Sequence, residues 1–430
     1  MLWPVQHVET PLLRPHRHQS KRQSSTTLRG ASLRRRNMTS KPTVGLVIDP
    51  WDFPFNGTVV STRRFVAALS NQFDFKILKT SNAPDQIATN EVYFPKLSIP
   101  GANGIIDQMQ APLARPNRAL LETVVADCDL IHVQYPFLLA HQAIRTARLL
   151  GKPVISSFHV QPENIQRNLR LNQAFVTRSL YRLFVSQFYQ VSDRVIAPSE
   201  FAKMLLTQHG VSKPIDVVSN GITPDFFQRK RRQSRSDHFE ILSVGRLAQE
   251  KQQALLLRAA AQSQYRAKIH VTLAGTGPAA AQLKDLAVKL GVRATIGRVT
   301  DDQLYALYET ADLFVQCSRV ELEGMSALEA MAVGCPTLLN RAETSALSEL
   351  IQDPIGAFTD QTPDMLKQKL DALLSNSDAR QFLADRNRAF ALTRRHEAST
   401  AQLASLYRRL LEDHADQRGE QSISKVGKAS

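Results

Sequence analysis

The stretch QRKRRQSRSDHFEILSVG, residues 228–245, divides the sequence into two halves of similar pattern. Its first part is charged, lacks hydrophobic periodicity and is typical of a linker, which we place at residues 228–238. Its second part, FEILSVG, begins a new series of short apolar runs after the series in the first half has ended. The stretch therefore predicts a boundary between two domains of similar architecture.

Short apolar runs alternate with longer helical patterns on both sides of this boundary. Each run is continuously apolar, as expected for parallel strands covered on both faces. The predicted strands are residues 43–48, 74–78, 129–133, 153–158, 194–198 and 215–219, then 239–244, 268–274, 293–297, 312–317 and 336–340. The alternation predicts an α/β protein with two Rossmann-like, doubly wound domains that face each other across a cleft. Ligands of such folds bind at the carboxyl ends of the strands.

The composition is that of an ordinary globular protein. The chain has 430 residues, of which 43% are hydrophobic and 22% charged. No window approaches 18 uninterrupted apolar residues, so the sequence predicts no membrane span. The three cysteines are scattered and form no CxxC or Cys/His cluster, which favours reduced thiols in the cytoplasm.

The net charge of +15 is concentrated at the beginning of the chain. Residues 1–40 contain eight Lys or Arg and one Glu, with no apolar core of a signal peptide. We interpret them as a disordered basic leader or as a mis-assigned start, with Met38 as the alternative first residue. The remaining positive charge fits anionic substrates or an anionic membrane surface. Nucleic acid is disfavoured because no zinc-finger, helix-turn-helix or aromatic-basic strand pattern occurs.

Two cations follow the first strand of the second half. Arg246 comes at the end of the strand and Lys251 five residues later, near the start of the next helix. They can converge on one point and form a diphosphate clamp, with forked contacts from the arginine and a point charge from the lysine. Solvated surface cations would give the same pattern.

The next strand ends in GTGP, residues 275–278. Gly275 and Gly277 at a strand-to-helix turn would let the backbone approach a ligand closely, although a tight turn alone would also need them. The spacing is not G-x-G-x-x-G, and no such fingerprint follows the first strand of the chain. This argues against a nicotinamide dehydrogenase.

The segment ELEGMSALE, residues 321–329, places two glutamates with seven residues between them at the mouth of an apolar segment. Glu321 lies past a strand end, Gly324 permits a turn, and a helix is predicted to begin at Met325 or Ser326, which puts Glu329 in its first turns. The helix start favours anions, one carboxylate can hold sugar hydroxyls and the other can accept two ribose hydroxyls. Two ordinary acids at a helix N-terminus are the alternative.

Taken in order, GRLAQEK, AGTGP and ELEGMSALEAMAVGCP resemble the donor half of the retaining nucleotide-sugar glycosyltransferases of family 4, which have the GT-B fold. The resemblance covers residues 42–412. It implies that Arg246 and Lys251 hold the donor diphosphate, that Glu321 contacts the donor sugar and that Glu329 binds the ribose. It also implies that the amides of Gly324 and Met325 touch sugar and phosphate.

The first half is similar to the same family. Asn56-Gly57 resembles the glycine loop that reaches toward the donor phosphate, although the family usually has paired glycines there. His159 follows a predicted strand and resembles the active-site histidine that hydrogen-bonds the donor sugar. IAPSEFAK (196–203) and VVSNGITPDFF (217–227) match signatures at the end of the family's first domain, which places Asn220 near the hinge.

The resemblance implies a definite domain organisation and mechanism. A helix returns to the N-terminal domain, and transfer proceeds by a front-face displacement that retains anomeric configuration and needs no bound metal. No DxD-type cluster is found to supply a metal site. The expected segments are residues 1–40 (leader), 41–227 (acceptor-side domain), 228–238 (linker), 239–385 (donor domain), 386–412 (returning helix) and 413–430 (disordered tail).

The acceptor is weakly encoded. Residues 165–190 form a basic amphipathic pattern that could rest on anionic lipid, or could pack on the domain's own sheet with solvated arginines; its arginines are Arg167, Arg170, Arg178 and Arg182. The pattern leads us to expect a lipid acceptor at the inner face of the plasma membrane, and the resemblance implies UDP-glucose as the donor. A polysaccharide or lipid-linked precursor with GDP-mannose is the competing expectation.

Two other classes of function are compatible with this sequence, an epimerase and a non-catalytic subunit. A nucleotide-sugar epimerase would keep the donor half and need acid/base carboxylates from the first half, for which Asp49, Asp52 and Glu163 are candidates. A non-catalytic partner subunit would keep the fold but usually lacks part of the charged set, which is complete here.

Overall fold

A computed structural model describes residues 41–53, 57–81, 89–98, 112–168, 174–232, 238–359 and 361–426. The predicted leader and Asn56 lie outside the described residues. Two sheets are present, and their strands are β1 Thr43–Val47, β2 Asp74–Ser81, β3 Glu91–Pro95, β4 Leu130–Val133, β5 Val154–Ser157, β6 Arg194–Ala197, β7 Ile215–Val217, β8 Phe239–Val244, β9 Ile269–Ala274, β10 Arg293–Gly297, β11 Leu313–Gln316, β12 Thr337–Asn340 and β13 Ala357–Phe358.

All neighbouring strands in both sheets are parallel. The first sheet has the order β3-β2-β1-β4-β5-β6-β7 and the second has β10-β9-β8-β11-β12-β13. The strand order reverses direction next to β1 and next to β8, so each sheet has the switch point at which doubly wound folds bind ligands. The predicted α/β class with two parallel sheets is confirmed.

Every predicted strand is present, but two strands had not been predicted. Glu91–Pro95 forms an edge strand and Ala357–Phe358 has two residues. The first carries a charge and a proline, and the second is too short to show periodicity. Each is recruited by backbone hydrogen bonding to a neighbouring strand rather than by its own pattern.

Helices cover both sheets. Their bounds are α1 Gly57–Leu69, α2 Arg118–Ala126, α3 Leu138–Leu149, α4 Pro162–Asn168, α5 Ala174–Phe184, α6 Glu200–Gln208, α7 Pro224–Gln228, α8 Gln253–Gln262, α9 Ala280–Leu290, α10 Asp301–Thr310, α11 Met325–Val333, α12 Leu347–Leu350, α13 Pro363–Ser375, α14 Ser377–Ala391 and α15 His396–Val426. Within the described ranges, no helix combines the length and the apolarity that a bilayer crossing requires.

The last helix packs against the first sheet. Leu403, Tyr407 and Leu410 of α15 are buried in the same cluster as Val44 and Leu46 of β1. This is the returning helix that the sequence predicted, although α15 begins at His396 rather than at residue 386.

The prediction of a disordered segment from residue 413 is wrong as far as Val426, because α15 continues through it. The segment is polar and contains a glycine, but it extends a helix whose preceding turns are already anchored on the first sheet, so the helix does not have to be nucleated again. Arg418 adds an anchor, since its guanidinium donates to the carbonyl of Leu150 at 3.2 Å.

The chain crosses between the two sheets at two adjacent places. Ile222 N donates to Arg394 O at 2.8 Å, and His396 N donates to Ile222 O at 2.9 Å. Gly221 has a φ of +74°, and a Cβ there would lie 2.6 Å from the Cα of His396. The SNG segment, residues 219–221, is therefore held against the second crossing at residues 394–396. There is no room for a side chain at Gly221.

The predicted linker is partly bonded to the second domain. Arg229 and Arg232 both pair with Glu309, at 3.1 and 3.0 Å, and the Glu309 side chain is only 8% exposed. The positive charges that indicated a solvated linker therefore compensate a buried carboxylate of α10. Residues 233–237 lie outside the described part of the chain.

Candidate functional site

Glu321 and Lys251 form an ion pair at the carboxyl edge of the second sheet. The Lys251 ammonium donates to Glu321 Oε1, and Gln316 Nε2 donates to the same oxygen at 2.5 Å. The two charged side chains are 22% and 12% exposed. The loops that follow β8 and β11 are also joined by Arg319 N, which donates to Glu250 O at 3.0 Å. A cation and a carboxylate are thus held together within reach of solvent.

Arg246 lies on the same edge, two residues after β8, and is half-buried. Its carbonyl accepts a hydrogen bond from Gln253 Nε2 at 2.9 Å, which ties the strand end to the start of α8. Between them, Lys251 ends a single 3-10 turn and Gln252 has a φ of +53°. This compact connection brings the lysine back toward β11.

Gly275 and Gly277 have a structural role that the sequence did not indicate. A Cβ at Gly275 would lie 1.9 Å from Gly245 O, and one at Gly277 would lie 2.3 Å from Leu247 O. Leu247 N also donates to Thr276 O at 2.8 Å. The absence of side chains lets this loop pack on the backbone that carries Arg246, whether or not a ligand also approaches it.

Helix α11 begins at Met325, as predicted. Gly324 precedes it with a φ of +86°, and a Cβ there would lie 2.7 Å from Leu347 Cδ2. Gly324 is therefore required both by its backbone conformation and by packing. The first intrahelical hydrogen bonds run from Ala327 N and Leu328 N to Gly324 O, so the N–H groups of Met325 and Ser326 precede them and form an end of the helix that favours an anion.

Glu329 projects from the second turn of α11. Tyr308 OH lies 3.1 Å from its Oε2 and 3.1 Å from Ser326 O, and its single proton is shared between these two acceptors. Burial raises the pKa of Glu329 to about 7, against the opposing influence of Arg64 from the first domain. The carboxylate is thus oriented and poorly hydrated, a state in which added hydroxyl donors would stabilise its charged form.

A third glutamate of the same segment was not recognised from the sequence. Glu323 is buried and accepts hydrogen bonds from Ser219 Oγ, from Asn220 N at 3.1 Å and from Asn220 Nδ2 at 2.5 Å. Burial raises its pKa to about 7. Asn220 Oδ1 in turn accepts from Ser61 Oγ of α1 at 2.7 Å. The glutamate segment is therefore bonded to the domain crossing and, through it, to the first helix.

His159 follows β5 in the first domain and is partly buried. Its Nε2 donates to Gln134 Oε1 at 2.9 Å, and burial lowers its pKa to about 4, so the ring is neutral at pH 7. Two residues later, Gln161 Nε2 donates to Thr344 O at 3.2 Å across the domains. The neighbouring Ser345 is bridged to Glu321. The loop that carries His159 is therefore joined to Glu321 through the loop after β12.

Gly57 is the first residue of α1, and a Cβ there would meet no atom of the described residues within 4 Å. Packing does not require a glycine at this position, in contrast to Gly275, Gly277 and Gly324.

The carboxylates considered for an epimerase are engaged in the first domain itself. Asp49 is buried, accepts from Thr80 Oγ1 and has its pKa raised to about 7 by burial. Asp52 pairs with Lys79 at 2.8 Å. Glu163 accepts from Tyr181 OH at 3.0 Å.

Two family models match the chain in succession. Residues 55–226 match the model described as glycosyltransferase family 4, and residues 225–390 match the one described as glycosyl transferases group 1. Together they cover most of the described residues. The two matches overlap at residues 225–226, within α7.

Individual proteins give the same result. The alpha-monoglucosyldiacylglycerol synthase of Streptococcus pneumoniae is 29% identical over 267 residues, which are 58% of this chain and 60% of that protein. A GDP-mannose-dependent alpha-(1-6)-phosphatidylinositol dimannoside mannosyltransferase of Mycobacterium tuberculosis is 29% identical over 50% of this chain and 57% of its own length. The chain thus matches about three-fifths of these relatives. The sucrose-phosphate synthase structure from Thermosynechococcus elongatus has a TM-score of 0.69 at 16% identity and covers 87% of this chain and all of its own.

Proposed function

Because the chain belongs to the GT-B glycosyltransferases of the family 4 type, we propose that it transfers a hexose from a nucleotide sugar to a lipid or glycan acceptor with retention of anomeric configuration. The observation that carries this proposal is the Lys251–Glu321 pair, held at a strand edge beside the start of α11 and bonded through the neighbouring loop to the segment that carries His159. Cation, carboxylate and helix N-terminus together suit a sugar diphosphate.

Each residue has a proposed role. Arg246 and Lys251 hold the diphosphate, Glu321 and His159 contact the sugar, and Glu329 accepts the ribose hydroxyls. The amides of Gly324 and Met325 face sugar and phosphate. Gly57 leaves space beside the phosphates, whereas Gly275 and Gly277 support the Arg246 loop.

In the proposed mechanism, the bond between the anomeric carbon and the diphosphate oxygen breaks while the acceptor oxygen approaches from the same face. Negative charge grows on the diphosphate, and Arg246, Lys251 and the α11 N-terminus stabilise it. The leaving diphosphate takes the acceptor proton, so no separate base is needed. Arg246 and Lys251 supply the charge stabilisation that a bound metal ion would otherwise provide. On donor binding, Lys251 exchanges part of its contact with Glu321 for the diphosphate, which frees Glu321 to accept sugar hydroxyls.

The first test is thermal unfolding of the full chain with UDP, GDP or ADP, repeated in Glu329→Ala. One nucleotide at about one hundred times its Kd should add roughly 2.7 kcal/mol of stability. The shift should shrink in Glu329→Ala and persist in Glu343→Ala, which removes an exposed glutamate after β12. The absence of a shift with all three nucleotides would instead favour a non-catalytic subunit.

We propose UDP-glucose as donor and a lipid as acceptor. One relative is named for glucosyldiacylglycerol and the other for a phosphatidylinositol mannoside, so both names contain a lipid. Helix α5 supports this choice, because Phe175 is 73% and Leu183 is 51% exposed beside the exposed Arg178 and Arg182. Apolar and cationic side chains together suit an anionic membrane surface, such as the inner face of the plasma membrane. The Arg167 and Arg170 side chains lie outside the described residues.

Vesicle sedimentation tests the membrane contact. The full chain should sediment with vesicles that contain phosphatidylglycerol and stay in solution with pure phosphatidylcholine, and Arg178→Glu with Arg182→Glu should abolish sedimentation. The control is Arg258→Glu with Arg386→Glu, which makes the same change of charge at exposed positions of the second domain. Equal loss in both double variants would reduce the effect to net charge and favour a soluble glycan acceptor.

The name of the mycobacterial relative keeps GDP-mannose as the second donor, with a polysaccharide or lipid-linked precursor as acceptor. An epimerase is less favoured, because Asp52 and Glu163 are already hydrogen-bonded within the first domain. If the protein converted a nucleotide sugar into its epimer in the absence of any acceptor, an epimerase would be favoured over a glycosyltransferase.

A further inference from the structure

A chain of polar side chains connects His159 to the last helix of the protein. Gln134 contacts His159 through its amide oxygen and His132 through its amide nitrogen, at 2.9 and 3.1 Å. His132 also contacts Ser157 Oγ through Nε2 and Tyr407 OH through Nδ1, both at 2.7 Å. All five side chains line one small cavity enclosed by α1, α15 and the first sheet. We call them the histidine network.

The chemistry of the groups gives the bonds in this network a direction. The amide nitrogen of Gln134 can only donate, so His132 Nε2 carries no proton. His132 is buried and burial lowers its pKa to about 3, so the ring is neutral and its one proton is on Nδ1, from which it donates to Tyr407. At the other end, the amide oxygen of Gln134 can only accept, so the proton of neutral His159 is on Nε2.

We propose that Tyr407, His132 and Gln134 are positioning residues that fix His159 in the Nε2–H tautomer, which leaves Nδ1 as a hydrogen-bond acceptor for a sugar hydroxyl. This rests on the proposed role of His159 at the donor sugar. Tyr407 belongs to α15, 275 residues from His132 in sequence, and reaches His159 only through His132 and Gln134.

Removal of the Tyr407 hydroxyl should reverse the direction of the hydrogen bonds in the histidine network. In Tyr407→Phe, the Nδ1 proton of His132 is buried without an acceptor, so the ring lowers its free energy by moving the proton to Nε2, where Ser157 Oγ accepts it. Two N–H groups would then face each other unless the Gln134 amide rotates. The rotated amide presents its nitrogen to His159 Nε2, and the proton of His159 moves to Nδ1.

The chain offers a matched control in Tyr189. This tyrosine is also buried in the first domain, its hydroxyl has no hydrogen-bond partner among the described residues, and its ring packs on Phe158 next to His159. Tyr189→Phe therefore removes a buried hydroxyl from the same domain without touching the histidine network.

The test is long-range proton–nitrogen NMR of the full chain labelled with ¹⁵N-histidine, with the His159 signals assigned by their loss in His159→Gln. We expect the Nε2–H pattern in the native protein and in Tyr189→Phe, and transfer of the proton to Nδ1 in Tyr407→Phe. A native Nδ1–H pattern, or an unchanged pattern in Tyr407→Phe, would overturn the proposal.

Turnover of UDP-glucose separates this inference from the proposed function. Tyr407→Phe should lower kcat on the order of tenfold, since the acceptor atom for the sugar is lost, while KM changes little. Tyr189→Phe should match the native enzyme. If the native protein releases no UDP but the NMR pattern changes as expected, the tautomer control stands and UDP-glucose transfer fails. An unchanged kcat in Tyr407→Phe with active native enzyme would count against the positioning role.

Discussion

The two sheets of the protein hold their polar residues in different ways. In the second domain, Arg246, Lys251 and Glu321 lie in loops that directly follow β8 and β11, and each loop carries its own residues. In the first domain, the polar group around His159 is assembled from β4, β5 and α15. The polar group of the second domain is therefore built from residues close in sequence, whereas the histidine network is built from residues far apart in sequence. Changes in the second domain should remove single contacts, whereas changes in the first should propagate.

The largest effect is expected for Glu321→Gln, which keeps the shape of the side chain and removes its charge. Loss of one preorganised electrostatic contact should lower kcat roughly 100-fold or more. Steady-state turnover of UDP-glucose measures the loss, and a nucleotide-induced thermal shift that survives would show a local defect. Glu343→Gln, an exposed glutamate in the loop after β12, is the matched control. A comparable loss of kcat in both variants would show that Glu321 has no specific role in turnover.

Glu323→Gln tests a contact that joins the two domains. The folded-state pKa of Glu323 is raised from 4.5 to about 7, so the folded protein binds more protons than the unfolded chain between these values. The stability of the native protein relative to Glu323→Gln should therefore fall as pH rises from 4.5 to about 7, by an amount on the order of 3 kcal/mol. Thermal or urea unfolding at pH 5, 6, 7 and 8 measures this difference. A difference independent of pH would show that Glu323 keeps one charge state throughout.

Gly277→Ala should destabilise the second domain by about 2 kcal/mol, because the new methyl group overlaps the backbone of Leu247. The control is Gly291→Ala, at a φ of +62° with open space around the Cβ, where only backbone strain of about 1 kcal/mol is expected. Urea unfolding compares the two. Equal losses of stability in the two variants would mean that the Gly275–Gly277 loop can move away from Leu247. The position of Arg246 would then not depend on this close packing.

The contrast between residues close in sequence and residues far apart in sequence also explains which features could be predicted from the sequence. The α/β class, the strands and the start of α11 were predictable because parallel strands are continuously apolar and Gly324 precedes the helix. The Glu321 segment was found because its residues are neighbours in the chain. Glu323 was missed because its partners, Ser219 and Asn220, are more than 100 residues away and its spacing resembles that of any loop acid.

The histidine network was missed for a related reason. His132 lies in the apolar run DLIHV, where a single polar residue gives no periodicity signal, and its partner Tyr407 is on a helix whose register against the sheet is set by tertiary packing. Two glycines show the converse case, in which the position was predicted but its structural cause was not. Gly275 and Gly277 were correctly located at a strand end, but the backbone contacts that require them become visible only in three dimensions.

The pairing of the two domain crossings makes the second domain an insertion in the topological sense. The chain leaves the first domain at Ile222 and returns at Arg394, and these two residues are joined by one 2.8 Å hydrogen bond. A domain whose entry and exit points coincide can be exchanged as a cassette without altering the distance that the host must span. The second domain could therefore be joined to a different first domain by two cuts at one place, provided that the grafted domain keeps a partner for Ser219 and Asn220.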